Sequence, residues 1–535
     1  MEAAANSMVL QLDQLVVAYP HTAEPTLQGL NLSLQRGERL ALVGPSGCGK
    51  STVARAVLQL LPPGSRTAGG LLLCGQDPRT LGPRALNRLR GEAVGLVFQD
   101  PMTRLNPLLS IGEHISDTLR AHRPGWLREQ VRQRAEQLLE RVGITVERFN
   151  SYPHEFSGGM RQRVAIALAM ALNPPLVIAD EPTTSLDVAV AAQVMAELCG
   201  LCEELGSALL LISHDLAMAG TWCGQMAVME QGSLLELGTS EQVLTNPKQP
   251  LSKRLVAAAR LREGRGTPPL AATAVLLEVH QLRCWHRLAS LPWRRKWLKS
   301  IDGVNFRLHA AETLGVVGPS GCGKSTLCRA LIGLNSLRGG SVLLQGRDLQ
   351  QLRGKELRLA RQRVQMVFQD PLACLNPAMA VQDAIADPLL IHGLATKAGA
   401  RSQALALMEA VGLAAGFTNR LPRELSGGQQ QRVAIARALV LKPSVLLCDE
   451  SVSMLDAEVQ ADVLQLLRDL QQQFGLGIIF VTHDLGVASG FCHRLIVLDQ
   501  GKIVEEGPGD LLLHQPEAAI TRELVAACPR LPQLV

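Results

Sequence analysis

The string GPSGCGKST occurs twice, at Gly44–Thr52 and again at Gly318–Thr326, 274 residues further on. Four more motifs follow each copy in the same order. VFQDP begins at Val97 and Val367, SGG at Ser157 and Ser426, an Asp-Glu pair at Asp180 and Asp449, and His-Asp-Leu at His214 and His483, at offsets of 270, 269, 269 and 269. Five motifs in one order at near-constant spacing make the chain one module written twice, so any fold assigned to one half must serve both. Between the halves, LREGRGTPPLAA near Leu261–Ala272 is rich in Gly, Pro and charge and has no apolar period. It reads as a linker. The expected domains are therefore 1–260 and 275–535, joined by 261–274.

Each half has the same local grammar. A β-rich start (LQLDQLVVAY; LLEVHQL) leads to an apolar strand (RLALVG; TLGVVG), a Gly-rich loop and an amphipathic helix. A helix-rich middle carries the SGG motif, and two apolar strands follow (LVIADE and ALLLISHD; VLLCDE and GIIFVTHD). Continuous apolar strands alternating with helices predict an α/β fold whose parallel sheet is buried on both faces.

Composition bounds the function. With 47% hydrophobic and 19% charged residues the chain can pack most of its length. A net charge of +5 spread over 535 residues argues against a dedicated nucleic-acid binder. No run of 18 apolar residues occurs, so no membrane crossing is expected, and the N-terminus MEAAANSMVLQLDQL has no secretory pattern. Twelve scattered cysteines suit a reducing compartment, and the Cys199–Cys202 pair reads as small apolar helix residues rather than a metal or redox pair.

GxxxxGK[ST] after an apolar strand and before a helix is a phosphate loop, whose glycines let backbone N–H groups turn inward. The candidate phosphate ligands are Gly44, Pro45, Ser46, Gly47, Cys48, Gly49, Lys50, Ser51 and Thr52, and their counterparts Gly318, Pro319, Ser320, Gly321, Cys322, Gly323, Lys324, Ser325 and Thr326. Lys50 and Lys324 are expected on the β- and γ-phosphates, Ser51 and Ser325 on Mg²⁺. Asp180 and Asp449 end apolar runs, so a carboxylate at each strand tip can serve Mg²⁺ through water. Glu181 and Glu450, one residue on, are placed to polarise an attacking water as general base. An isolated Asp-Glu pair is more often a strand-end solubility feature; its position after the phosphate loop in both halves reverses that reading. His214 and His483, each after an apolar strand, are placed near the γ-phosphate by the repeat.

With these residues in hand the chain resembles the ATP-binding subunits of ABC transporters over essentially its full length, most specifically in FSGGMRQRVAIA from Phe156 and LSGGQQQRVAIA from Leu425. The resemblance implies two tandem P-loop NTPase domains, each with a parallel-sheet core, an antiparallel β subdomain and a helical subdomain. It implies that the signature of one module (Ser157, Gly158, Gly159; Ser426, Gly427, Gly428) closes over ATP on the phosphate loop of the other, so that the two domains of one chain pair. It assigns Gln99 and Gln369 to the loop that senses Mg²⁺ and γ-phosphate and contacts the membrane subunits, and it gives the loops beginning TTSLD (Asp187) and VSMLD (Asp456) to the dimer junction. Tyr19 looks like the adenine-stacking aromatic. In the second half ungapped counting gives His286, with Trp285 adjacent, and the assignment stays open between stacking and ordinary strand packing.

Longer stretches (FQDPMTRLNP, FQDPLACLNP, IADEPTTSLD, NPKQPLSKRLV) resemble the oligopeptide, dipeptide and nickel importer group, with the two usually separate subunits fused. The chain has Ser451 where proline is usual and Met160 where the signature usually has glutamine, the latter a change common in this subgroup, and it lacks the four-cysteine tail that some relatives carry, so no iron–sulfur cluster is expected. The implied function is ATP hydrolysis that energises import of a peptide or nickel-like solute, with ATP and Mg²⁺ as cofactors. The implied partners are two integral membrane permease subunits and, through them, an extracytoplasmic solute-binding protein. The implied location is peripheral, on the cytoplasmic face of the cell membrane. The alternative is a soluble tandem ABC ATPase acting on ribosomes or DNA, but those relatives carry a long charged helical linker or paired CxxC motifs. Finally, WHRLASLPWRRKWLKSIDG, Trp285–Gly303, is a basic, aromatic insertion that reads as a solvated loop or a lipid-headgroup contact.

Overall fold

The computed structural model describes residues 8–20, 22–99, 104–184, 186–262, 274–287, 297–453 and 455–532. The chain divides into two compact units, with the main division at Ala259/Arg260. The expected linker lies almost wholly outside the described residues.

In the first unit β1 (Met8–Ala18), β2 (Leu27–Gln35) and β4 (Arg66–Leu73) form an antiparallel sheet in the order β2-β1-β4. Its alternation is visible in β2, where Leu27, Leu30, Leu32 and Leu34 are buried and the residues between them face outward, the pattern of a sheet with one wet face. The core sheet runs β5 (Val94–Val97), β6 (Leu176–Asp180), β7 (Ala208–Ser213), β3 (Arg39–Val43), β8 (Gln225–Glu230), β9 (Ser233–Thr239), parallel except for β9. Every residue of β7 is buried, because helices cover both faces of a parallel sheet. A helical subdomain contributes Ile111–His122, Arg128–Arg141 and Gly158–Ala169.

The second unit repeats the plan. Its core sheet runs β15 (Val364–Val367), β16 (Val445–Asp449), β17 (Gly477–Val481), β12 (Thr313–Val317), β18 (Arg494–Asp499), β19 (Lys502–Gly507). Its antiparallel sheet, β10 (Val275–Arg287), β11 (Trp297–His309), β13 (Gly339–Leu344) and β14 (Arg347–Asp348), has one strand more than that of the first unit. Its helical subdomain holds Val381–Ile391, Lys397–Ala410 and Gly427–Leu439. Among the described residues no helix is long and apolar enough to cross a membrane.

The expectation of a solvated loop over 285–303 needs correction at both ends. Trp285, His286 and Arg287 pair with Lys299, Leu298 and Trp297, lengthening the β10–β11 hairpin. Aromatic residues favour such cross-strand positions, and Lys299 lies over the Trp285 ring at 5.0 Å while Arg338 lies over Trp297 at 3.8 Å. Residues 288–296 lie outside the described residues. All twelve cysteines are unpaired, and Cys199 and Cys202 are buried in the helix Val188–Leu205.

Candidate functional site

The strand order puts β3 between β7 and β8, the point where a doubly wound sheet gathers its ligand residues at the carboxyl ends of the strands. Val43 lies level with Ser213 and Asp180 with Ile212, so the phosphate loop after β3, the Asp-Glu pair after β6 and His214 after β7 emerge at one edge. In the second unit Val316 and Asp449 both pair with Val481, which gives the same edge.

The loops close tightly enough to need glycine. Gly44 has φ +155°, and a Cβ there would stand 2.2 Å from the Met229 carbonyl oxygen; Gly318 has φ +153°, with the Leu498 oxygen 2.1 Å from such a Cβ. The ammonium of Lys50 donates to the carbonyls of Gly44 and Pro45 at 2.8 and 2.9 Å, and that of Lys324 to Gly318 and Pro319 at 2.7 and 3.0 Å. Both lysines are nearly buried, at 6% and 5% exposure, so their charge is held against loop oxygens in a poorly screened setting.

Ser51 donates to Asp180 Oδ1 at 3.0 Å, and Ser325 to Asp449 Oδ1 at 3.1 Å. Burial pushes both aspartic carboxyls above their ordinary range, more than these hydroxyls draw them down, and a nearby divalent cation would relieve that penalty. The oxygens gathered at each strand tip are a hydroxyl and a carboxylate, which suits Mg²⁺, an ion that takes one or two carboxylates and completes its shell with phosphate and water. Among the described residues no group of three or more His, Cys, Asp or Glu side chains could hold a metal by itself.

Glu181 and Glu450 both sit at φ +48°, a left-handed conformation that costs a non-glycine residue on the order of 1 kcal/mol or more. Each is pinned there by its own N–H, Glu181 to the Ile212 carbonyl at 2.9 Å and Glu450 to that of Val481 at 3.0 Å. The turn aims the carboxylate at its neighbours. Gln99 Nε2 donates to Glu181 Oε2 at 2.7 Å and Thr184 Oγ1 to the same oxygen at 3.1 Å, while His214 Nδ1 stands 3.2 Å from Oε1. Gln369 Nε2 donates to Glu450 Oε2 at 2.9 Å, with His483 Nδ1 3.6 Å from that oxygen. Burial alone would raise both glutamates, but the histidine contacts, together with Thr184 and Lys50 at the first and Lys324 at the second, outweigh it and hold the two carboxyls below their ordinary value. For His214, burial is likewise outweighed by Glu181, and its pKa is raised.

A cavity of 310 Å³ opens beside the first phosphate loop, lined by Tyr19, Gly49, Lys50, Thr52, Arg55 and Glu181 among others. The Tyr19 hydroxyl lies 3.2 Å from Thr52 Oγ1. Trp285 and His286 occupy the matching stretch of β10, Trp285 half-buried and His286 exposed.

Ser157 and Ser426 begin the signature helices Gly158–Ala169 and Gly427–Leu439, accepting from the N–H of Met160 and Gln429. A Cβ on Gly159 would stand 2.2 Å from Val190 Cγ1, and one on Gly428 2.4 Å from Val459 Cγ1, so close helix packing excludes a side chain there. Gln429 also returns its Oε1 to the Ser426 N–H at 3.0 Å, closing a capping box. Met160 has no group that can do this. Thr184 and this capping role of Gln429 are absent from the motif reading; a Thr three residues after the Glu is the signal that was available for the first.

The ABC transporter family profile matches residues 27–184 and 301–453. The chain is 41% identical over 507 residues, 93% of this chain and 92% of the relative, to the "Peptidoglycan transport ATP-binding protein YejF" of Agrobacterium fabrum. It is 36% identical over 564 residues, 97% of this chain and 89% of the relative, to the "Glutathione import ATP-binding protein GsiA" of Escherichia coli K12. A solved ATP-binding cassette bound to ADP and phosphate is 30% identical, with a TM-score of 0.40 over 44% of this chain.

Proposed function

This chain belongs to the ABC transporter family as a fused pair of ATP-binding, ATP-hydrolysing modules, and from that premise we propose how its residues work. The observation that carries the reading is the Gln–Glu–His cluster that recurs at the strand tips of both units. Lys50 and Lys324 exchange their loop carbonyls for the β- and γ-phosphates of ATP. Ser51, Asp180 and Gln99, and Ser325, Asp449 and Gln369, are the residues that would hold Mg²⁺, which would supply neutralisation of developing phosphate charge. Gln99 and Gln369 leave the glutamate Oε2 atoms as they turn to the nucleotide. That frees Glu181 and Glu450 to accept a proton from the attacking water, while His214 and His483 stay on the same carboxylates and face the γ-phosphate. Tyr19 stacks on adenine in the first site.

The domains are 1–260 and 275–535 with the linker 261–274. They pair within one chain, the signature at Ser426 serving the Lys50 site and that at Ser157 the Lys324 site. The protein lies at the cytoplasmic face of the cell membrane beneath two integral membrane permeases, fed by an extracytoplasmic solute-binding protein. The cargo is a peptide or nickel-like solute; the names of the relatives, peptidoglycan transport and glutathione import, support the peptide class. Copurification in detergent tests the assembly. Recovery with two membrane subunits is expected, and recovery with ribosomes or DNA fragments would replace this reading. Pairing is tested by crosslinking Ser46→Cys to Ser426→Cys in a background without native cysteines; ATP-dependent crosslinks formed only between chains would reject it.

A further inference from the structure

The phosphate-loop helices Lys50–Val57 and Lys324–Leu331 end on carbonyls that no longer have helical partners. In the first unit Arg90 Nε donates to the Leu58 oxygen at 2.9 Å and its Nη2 to the Gln59 oxygen at 2.7 Å. In the second, Arg361 Nε donates to Ile332 at 3.2 Å and its Nη2 to Gly333 at 2.9 Å. The acceptors are equivalent, each pair 274 residues apart, yet the arginines are not: Arg90 stands four residues before β5 and Arg361 three residues before β15. The backbone makes up the difference. At Arg90 ψ is 109° and Gly91 has φ 106°, a break in the helix Pro83–Glu92, whereas Arg361 lies within the helix Gly354–Arg363. One two-pronged contact is thus reached by two different backbones.

The same short segments also grip the helical subdomain. Glu92 accepts from Arg123 Nη1 and lies 3.9 Å from His122 Nδ1, at the end of the helix Ile111–His122. In the second unit Gln362 Nε2 and Arg358 Nε lie 2.8 and 3.3 Å from His392 Nδ1, and Arg358 Nη2 donates to the Ile391 carbonyl, at the end of the helix Val381–Ile391. The strands that follow these segments lead within a few residues to Gln99 and Gln369.

We propose that Arg90 and Arg361 are positioning residues for ATP hydrolysis, each tying the end of its phosphate-loop helix to the strand feeding the glutamine loop and, through the same segment, to the first helix of the helical subdomain. The tie makes the phosphate loop, the glutamine and the helical subdomain move as one. An ordinary helix-end arginine would add stability alone; this one sets turnover. The proposal rests on the hydrolytic reading above, so wild type and the Lys50→Ala, Lys324→Ala double variant are measured beside it: a wild type with no lysine-dependent turnover would fail that reading rather than this one.

The test compares Arg90→Met and Arg361→Met with the Lys variants at both positions, in the full chain, by steady-state ATPase, binding of a fluorescent ADP and thermal melting. The Met variants should lose about three- to thirtyfold in kcat, the size of effect seen along coupling networks, with KM and ADP affinity little changed. Lysine, which keeps the charge but reaches one carbonyl, should recover part of the loss. Unchanged kcat, a loss confined to KM or melting temperature, or full recovery by lysine would each overturn the proposal. Should Arg90→Met fail to fold, Glu92→Gln in the first unit and the double change Arg358→Met, Gln362→Leu in the second cut only the outer half of the tie and should lower kcat by a smaller factor; wild-type kcat in both would overturn it as well.

Discussion

Glu181 is held by three side chains, His214 on Oε1 with Gln99 and Thr184 on Oε2, whereas Glu450 has Gln369 at 2.9 Å and a more distant His483 at 3.6 Å. The residue matching Thr184 is Ser453, and its hydroxyl donates to the Glu450 main-chain carbonyl instead, at 2.9 Å. The position between, Pro182 in the first unit, is Ser451 in the second, buried at 2% exposure. Both glutamates share one strained backbone, so the scaffold fixes where the carboxylate starts and the loop beyond it decides how firmly it is oriented. Two sites with the same catalytic inventory need not turn over alike.

The hardest test of equivalence removes the base itself. Glu181→Gln and Glu450→Gln should each cost about 10² to 10⁴ at their own site, and, because the sites are coupled, steady-state ATPase of the singles and the double with membrane subunits present should show non-additive losses. Wild-type turnover in Glu450→Gln would mean that the second site is structural. A finer test removes only the differing hydroxyl. Thr184→Val should lower turnover at the first site by about three- to tenfold, the worth of one ordinary side-chain hydrogen bond, while Ser453→Ala leaves the second near its starting rate; equal effects would erase the distinction.

Proton linkage gives a smaller signal. Glu181 is held low, so its contribution to stability exists above its unfolded pKa and is lost as pH falls through the folded value; His214 is held high, so its contribution exists below its unfolded pKa and is lost as pH rises through the folded value. The pair therefore stabilises most between about pH 5 and 6.5, and the melting temperatures of wild type and His214→Gln should differ most in that window and converge on either side. Smallest of all, Met160→Gln should complete the capping box at the first signature helix and stabilise the first unit by about 0.5 kcal/mol, read as a slightly higher melting temperature, with Gln429→Met doing the reverse in the second unit.

The motifs and their order were legible because phosphate chemistry demands particular residues at fixed spacing. Lys50, Ser51, Asp180, Glu181 and His214 meet at one edge because β7 lies between β3 and β6; the apolar runs implied a buried parallel sheet but not that order. Other features were not legible. The strain at Glu181 and Glu450 comes from a turn with no glycine to advertise it. The clamps of Arg90 and Arg361 lie one residue out of register, so counting along the repeat does not align them. The hairpin extension at Trp285 and Trp297 was misread because a basic run and a proline lie between them, while the strand signal rests on cross-strand partners that no local window contains.

The burial of the thiols has a consequence for chemical labelling. Of twelve cysteines Cys74 is exposed, Cys374 and Cys528 are half-buried, and the rest are buried. Burial raises the thiols of Cys48 and Cys322, more than the neighbouring Lys50 and Lys324 lower them, so little reactive thiolate is present in either phosphate loop. A maleimide dye should therefore modify Cys74 first and leave ATP turnover largely intact. Alkylation of Cys48 or Cys322 should be slow, should follow the opening of the loop around it, and so offers a clock for that opening in an otherwise native chain.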